Sequence, residues 1–316
     1  MNRLLALAFA LLAAAPAGAA DMPRIGVLSF TQVTPAMQQA LRQGLREHGY
    51  EEKRNILVEW RTDGGQIERA RTAAKELVGL KVNVIVAMLT PAVQASKDAT
   101  GTIPIVMAPA GDPLATGFAK TLARPGGNIT GIAGQGAAIS GKRISLMREL
   151  VPGLKAFGVL TNSLDPFAKP FVSEHRLVAE RAGLRLHIAD ARRPEDVDAA
   201  LASLAREGVG AVVVQGVLTG QGWQVGPLAA KHRLPSVSNL KQFVDSGGML
   251  SYGANFDGIY RRAASYVDRL LKGAKAAEIP IELPTEFELI VNLRAARAVG
   301  RVVPPAILVR ADQVIE

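Results

Sequence analysis

Val82-Asn83-Val84-Ile85-Val86-Ala87-Met88-Leu89-Thr90-Pro91 is the stretch on which the architecture turns. A run that is apolar on both alternating faces suits a strand covered on both sides, as in a parallel sheet flanked by helices. Thr90 and Pro91 then mark a turn into a helix. Threonine is a favoured N-cap, and proline suits the first helical position because its missing N–H would have no partner there. The reading is a strand over 82–88 followed by a helix over 91–99.

The same unit recurs on either side. Strands are expected at 24–30, 56–61, 103–108 and 128–132, with helical stretches at 35–48, 66–80 and 117–122. The pattern then restarts, with strands at 156–162, 185–189, 211–215, 235–238 and 248–252. Helices at 140–150, 167–182, 194–206 and 224–232 alternate with these. Alternation on this scale is the α/β signature. Two rounds of it imply two similar lobes; closure into a single eight-fold barrel is the other arrangement it allows. A further amphipathic stretch, 260–272, ends at Gly273 and is followed by a Pro-punctuated segment and a strand at 287–291. These elements fit best as returns to the two lobes, making a multi-stranded hinge.

Composition narrows the chemistry. The 316 residues are 48% hydrophobic and 21% charged, an ordinary globular balance, so a disordered chain is excluded. There is no cysteine, which removes disulfides, thiolate nucleophiles, Cys-ligated zinc and a lipid-modified N-terminal cysteine. Lys and Arg number 37 against 28 Asp and Glu, a net charge of +9. That excess forms no polybasic stripe: Arg192-Arg193 and Arg261-Arg262 are its densest points, so nucleic-acid binding is not expected.

At the N-terminus, Arg3 precedes twelve apolar residues, Leu4 to Ala15, and then the small residues Ala17-Gly18-Ala19-Ala20. Twelve helical residues span about 18 Å, short of the roughly 30 Å hydrocarbon core, so this reads as a cleaved export signal over 1–20. The expectation is an exported, soluble periplasmic protein without a membrane anchor, its charge reduced by Arg3 alone.

Several longer motifs follow in order: Gly111-Asp112-Pro113; Ala123-Arg124-Pro125-Gly126-Gly127-Asn128-Ile129-Thr130-Gly131; Gly247-Gly248-Met249-Leu250-Ser251-Tyr252-Gly253; and Tyr260-Arg261-Arg262-Ala263-Ala264. The last are Pro284-Thr285-Glu286-Phe287-Glu288-Leu289-Ile290-Val291-Asn292-Leu293 and Leu308-Val309-Arg310-Ala311-Asp312-Gln313-Val314-Ile315. In this combination the chain resembles the solute-binding proteins of ABC transporters with the type I periplasmic binding fold, within the group containing tryptophan/tyrosine-type binding proteins. The resemblance implies two Rossmann-like lobes with parallel sheets joined by a three-crossover hinge, and a small organic solute clamped between them. On that basis lobe I is expected over 21–133 plus 253–282 and lobe II over 134–252 plus 283–316. A membrane permease and an ATPase are the implied partners of a monomeric, non-enzymatic, cofactor-free binding protein. An amino acid or aromatic carboxylate is the first expectation for the solute. Residues 29–34 and 215–223 match no family pattern.

Ligands of open α/β sheets bind beyond the carboxyl ends of the strands. That places Ser29 and Phe30, Thr90 and Pro91, Asp112, Asn162, Phe167, Gln215, Asn239 and Tyr252 as candidate ligand contacts. Thr90 and Ser29 would lie beside helix N-termini whose free N–H groups favour a carboxylate. Asp112 can accept from an ammonium or hydroxyl, or simply form an Asp-Pro turn. Phe30, Phe167, Trp223 and Tyr252 offer rings for a planar solute, or ordinary packing. Asn162 and Asn239 offer polar groups, or helix caps.

Other chemistries have weaker support. Gly136-Ala137-Ala138-Ile139-Ser140-Gly141-Lys142-Arg143 nearly spells a phosphate-binding loop, but Arg143 stands where the Mg²⁺-binding hydroxyl belongs. Ser140 reads instead as the cap of the helix to Leu150. The four histidines, His48, His175, His187 and His232, have no metal-ligand spacing and read mostly as surface residues. No nucleophile elbow appears, which disfavours an exported enzyme. A sensory module presenting its ligand to a membrane kinase or chemoreceptor would carry the same features. A DNA-binding regulator would need a helix-turn-helix before Arg24.

Overall fold

The computed structural model describes residues 22–134 and 137–316. The segment read as an export signal, and the first residue of the loop-like stretch at 136, lie outside the described residues. The first sheet is built from β1 (Arg24–Ser29), β2 (Leu57–Thr62), β3 (Val84–Met88), β4 (Ile105–Ala110) and β5 (Ile129–Ala133). Its order is β2-β1-β3-β4-β5, every pairing parallel. Helices α1 (Pro35–Glu47), α2 (Ile67–Gly79) and α3 (Thr90–Ala99) make the crossovers. Every residue of β3 is buried, as a strand apolar on both faces must be.

The second round supplies α4 (Ala137–Leu150), β6 (Ala156–Thr161), α5 (Ala168–Ala182), β7 (Arg185–Asp190), α6 (Val197–Arg206) and β8 (Val212–Val214). It continues through α7 (Val225–Lys231), β9 (Ser236–Ser238), α8 (Lys241–Asp245) and β10 (Leu250–Ala254). The chain then forms α9 (Phe256–Leu271), β11 (Phe287–Asn292), α10 (Leu293–Ala298), α11 (Pro305–Leu308) and β12 (Gln313–Ile315). The second sheet runs β12-β11-β10-β9-β8-β6-β7. It is not wholly parallel: β11 enters from the opposite direction and pairs antiparallel with β10, because it returns from the other lobe rather than through a crossover helix.

The chain passes between the lobes three times. It leaves the first sheet after β5 and comes back after β10, laying α9 along α1, β3, β4 and β5. Residues 279–282 then border β5: Thr130 Oγ1 donates to the Ile279 carbonyl at 2.8 Å, and Ala133 N to the Glu282 carbonyl at 2.8 Å. After Glu282 the chain departs again to form β11. Two of these passages touch, with Asn255 N donating to the Glu286 carbonyl at 3.1 Å.

Some local expectations change. The stretch 117–122 is not helical. Gly117 takes φ +70°, and Asp112 gathers the preceding residues into turns, accepting from Leu114 N at 2.8 Å and Ala115 N at 3.1 Å. The strand at 82–88 begins at Val84, and the helix after it begins at Thr90 with Leu89 as N-cap. Helix α4 begins before Ser140, which is therefore a residue inside the helix and not its cap. His175 is fully buried in α5, between the rings of Phe157 and Phe171, rather than on the surface.

Candidate ligand-binding site

The carboxyl ends of both sheets face one cleft, which contains a cavity of about 60 Å³. In the second sheet it opens at the β6/β8 point where strand order reverses, where open α/β sheets place their ligands, and in the first it lies beyond the ends of β3 and β4.

The first lobe contributes mainly backbone and small or apolar groups. Leu89 follows β3 with φ +67°, a left-handed conformation costing a non-glycine residue of order 1–3 kcal/mol. It lines the cavity together with Thr90, and Pro109-Ala110-Gly111 at the end of β4 forms the adjoining wall. Thr90 Oγ1 accepts from Gly111 N at 3.0 Å, so the hydroxyl ties the two loops together. Gly111 must lack a side chain: a Cβ there would stand 2.4 Å from Cγ of Phe167, across the cleft.

The second lobe contributes charge and aromatic surface. Helix α5 turns Phe167, its N-cap, then Phe171 and Glu174 toward the cavity at a spacing that keeps them on one helical face. The two rings lie 6.1 Å apart, tilted by 59°. Helix α4 adds Ser140 and Arg143, and Ser140 Oγ donates to Glu174 Oε2 at 3.2 Å. In the β6–α5 loop, Asp165 accepts from Phe167 N at 3.0 Å and from Gln215 Nε2 at 2.7 Å. Gln215 is itself fixed, accepting from Thr161 Oγ1 at 2.6 Å and Asn162 N at 2.9 Å. Asn239, after β9, and Phe256, at the start of α9, complete the lining.

Two charged groups, Asp165 and Arg143, are thus withdrawn from water, with Glu174 half-buried beside them. Burial pushes the Asp165 carboxyl up to about 7. Burial likewise raises Glu174 to about 7, against the pull of the Ser140 hydroxyl and the Arg143 guanidinium. Burial lowers Arg143 to about 10, which leaves it a cation at neutral pH. Its Nε donates to the Tyr252 carbonyl at 3.0 Å. Behind them, burial drops His175 to about 4. Its Nδ1 lies 2.8 Å from the Phe171 carbonyl, which fixes the proton on Nδ1. Such an arrangement suits a small molecule carrying both a carboxylate and an ammonium beside an apolar or aromatic body.

Of the residues marked from sequence, Thr90, Phe167, Gln215 and Asn239 line this cavity. The others sit elsewhere. Ser29 is buried and donates to the Thr31 carbonyl at 2.6 Å, and Phe30 lies in the core of the first lobe. Pro91 is buried in the first turn of α3. Asp112 closes its own turn, and Asn162 accepts from Leu164 N at 3.0 Å near the rim of the cleft. The Tyr252 ring stacks on Phe287 at 6.2 Å and offers the site its carbonyl.

Arg143, Glu174 and Asp165 were not marked, although a pattern for the first two exists. Arg143 shares a helical face with the buried Ser140, Ile144 and Met147, and Glu174 shares one with Phe167 and Phe171. A charge on an apolar stripe is the signal. Among the described residues no group of three or more His, Asp or Glu side chains is placed to hold a metal ion.

Comparison with known proteins identifies the family. A tyrosine-binding protein of Clostridioides difficile (strain R20291) is 25% identical over 262 residues, 82% of this chain and 75% of that protein. A crystal structure of an ABC domain from Streptococcus pneumonia in complex with L-Trp is 26% identical. It superposes with a TM-score of 0.83, covering 93% of this chain and 99% of that one. A conserved domain protein from Vibrio cholerae O1 biovar eltor matches at 28% identity and a TM-score of 0.83 over the same shares. The family described as "ABC transporter substrate binding protein" matches residues 25–315. The chain belongs to that family of ABC transporter substrate-binding proteins, and it is a binding protein rather than an enzyme.

Proposed function

We propose that this protein is the extracytoplasmic solute-binding component of an ABC importer and that its solute is an α-amino acid with an aromatic side chain. The observation that carries the reading is the buried pair Arg143 and Asp165, with the half-buried Glu174, beside Phe167, Phe171 and Phe256. Arg143 receives the carboxylate, the two acids share the ammonium, and the rings enclose the side chain. An aromatic acid lacking the ammonium would set a third carboxyl beside Asp165 and Glu174, with Arg143 as the one cation among the described residues lining the cavity, which is costly. The names of the tyrosine-binding and L-Trp-bound relatives support the same class.

Because every charged contact lies on the second lobe, the solute docks there first and the first lobe closes over it. Closure is stabilised only by the extra affinity of the closed state for the solute. The lobes divide as 21–133 plus 253–282 and 134–252 plus 283–316, and export through the segment 1–20 places the protein in the periplasm. A permease reads the closed form and an ATPase drives transport.

Calorimetry on the purified protein tests the assignment. L-tyrosine, L-tryptophan and L-phenylalanine are compared with 3-(4-hydroxyphenyl)propionate and indole-3-propionate, which lack the ammonium. The expected result is micromolar binding, about −8 kcal/mol, for at least one amino acid and at least a hundredfold weaker binding of its ammonium-free partner. Equal binding of both, or binding of none, overturns the assignment.

A further inference from the structure

The lobes meet a second time at the rim of the cleft, away from the cavity. In the first lobe β2 runs into Asp63-Gly64-Gly65, where Gly64 takes φ +65° and Gly65 φ +82°. This left-handed pair suits glycine because neither residue has a Cβ to clash. Asp63 fixes the turn by accepting from Gly65 N at 2.8 Å. Its side chain is only 1% exposed, and its second oxygen has no partner.

The second lobe presents Trp223 to this turn. Trp223 N donates to the Gly220 carbonyl at 3.0 Å, and the next residue, Gln224, is held at φ +48°. The indole is only 2% exposed, and a Cβ on Gly65 would stand 2.8 Å from its Nε1. A groove of about 420 Å³ runs beside the contact, lined by Gln66, Ile67 and Arg71 from one lobe and Asn162, Leu164 and Arg193 from the other. Neither Gly65 nor Trp223 lines the solute cavity.

We propose that the Asp63-Gly64-Gly65 turn and Trp223 form an interlobe latch that sets how much of the empty protein is closed and how slowly solute leaves. The inference rests on the reading of a cleft that opens and closes. Separating the lobes strips the glycine surface from the indole and exposes a large apolar ring to water, so the contact favours closure whatever fills the cavity. Gly65 is the residue that permits the approach, since any side chain there holds the indole away. The latch therefore adjusts affinity through the closed population alone, leaving the solute's own contacts untouched.

The chain has no cysteine, so two introduced ones report lobe separation cleanly. Dyes are attached through Lys75→Cys in α2 and Arg176→Cys in α5, both exposed sites, and energy transfer is measured in the solute-free protein. Gly65→Ala and Trp223→Ala are each expected to lower transfer and to speed L-tyrosine release about tenfold, with association changed less than about twofold. Trp223→Phe restores part of both. Gly49→Ala serves as the control: it imposes the same backbone strain at φ +85° with nothing within 4 Å, and it is expected to leave transfer unchanged. Unchanged transfer in both latch variants, or equal opening by Gly49→Ala, overturns the latch. The transfer measurement needs no solute, so it decides the latch even if L-tyrosine fails to bind. Such a failure counts against the ligand assignment alone.

Discussion

The two lobes share a fold but divide the labour at the cleft. The first lines the cavity with a strained Leu89, a Thr90 whose hydroxyl is already engaged, and a Gly111 that must stay bare. The second brings the buried Arg143 and Asp165, the half-buried Glu174 and two of the three phenylalanines. A wall of backbone and small groups can close on many shapes, whereas a wall of desolvated charges accepts few partners. On the proposed reading, chemical selection belongs to one half of the molecule and enclosure to the other.

The largest effect expected from this division is at Arg143. Arg143→Gln removes the counter-charge of Glu174 and, on the proposed assignment, of the solute carboxylate. Truncating one member of a buried charge pair typically costs about 2–5 kcal/mol, so calorimetry should show affinity falling at least thirtyfold. A loss that small-residue changes in the first-lobe wall reproduce in full would erase the distinction between the lobes.

A smaller effect is expected from pH, and its sign follows from the buried acids. Asp165, Glu174 and Asp63 are all raised to about 7 in the folded protein. Each contributes stability that is complete below the ordinary carboxyl range and is lost as pH rises toward 7. His175, lowered to about 4, acts in the opposite sense: its contribution is present above its ordinary value of 6.5 and is lost as pH falls toward 4. The empty protein should therefore melt at a lower temperature at pH 7.5 than at pH 5.5, and Asp165→Asn should flatten the difference. Amino-acid binding should run the other way, tightening over the same interval by up to about tenfold per pH unit for each proton displaced. Calorimetry in buffers of different ionisation enthalpy counts those protons. A pH-independent affinity would remove the acids from the ammonium site.

The smallest effect is expected outside the cavity. Asn162→Ala should shift the dissociation constant less than about threefold, because the side chain serves its own turn. A larger change would extend the selective wall to the rim.

How far these features could be read in advance depended on whether a residue acts through its neighbours in sequence or in space. The strands and crossover helices were legible because burial on both faces writes itself into consecutive residues, as at Val84–Met88. Thr90, Gln215 and Asn239 were legible as cleft residues because each stands at or within two residues of a strand end, and Phe167 because it starts the helix after β6. Ser29 and Phe30 also follow a strand, but β1 is flanked by β2 and β3, and these side chains are absorbed into the interior of that sheet. Arg143 and Glu174 stand within helices, several residues from any strand end. Their role depends on which face of α4 and α5 meets the other lobe, a fact of docking rather than of local pattern. Asp165 lay between two marked residues. Its importance comes from Gln215, fifty positions away.

The bond between Asn255 and Glu286 has a mechanical consequence. It laminates two of the connecting ribbons into a two-ply flexure at the point where they leave one lobe for the other. A laminated strip bends readily across its thickness and resists sliding in its own plane. On the proposed closing motion this favours a single arc, along which Gly111 meets Phe167 and Gly65 meets Trp223 in the alignment the structure holds. Side chains in the cavity can then change from one relative to another without re-engineering the movement that encloses whatever they hold.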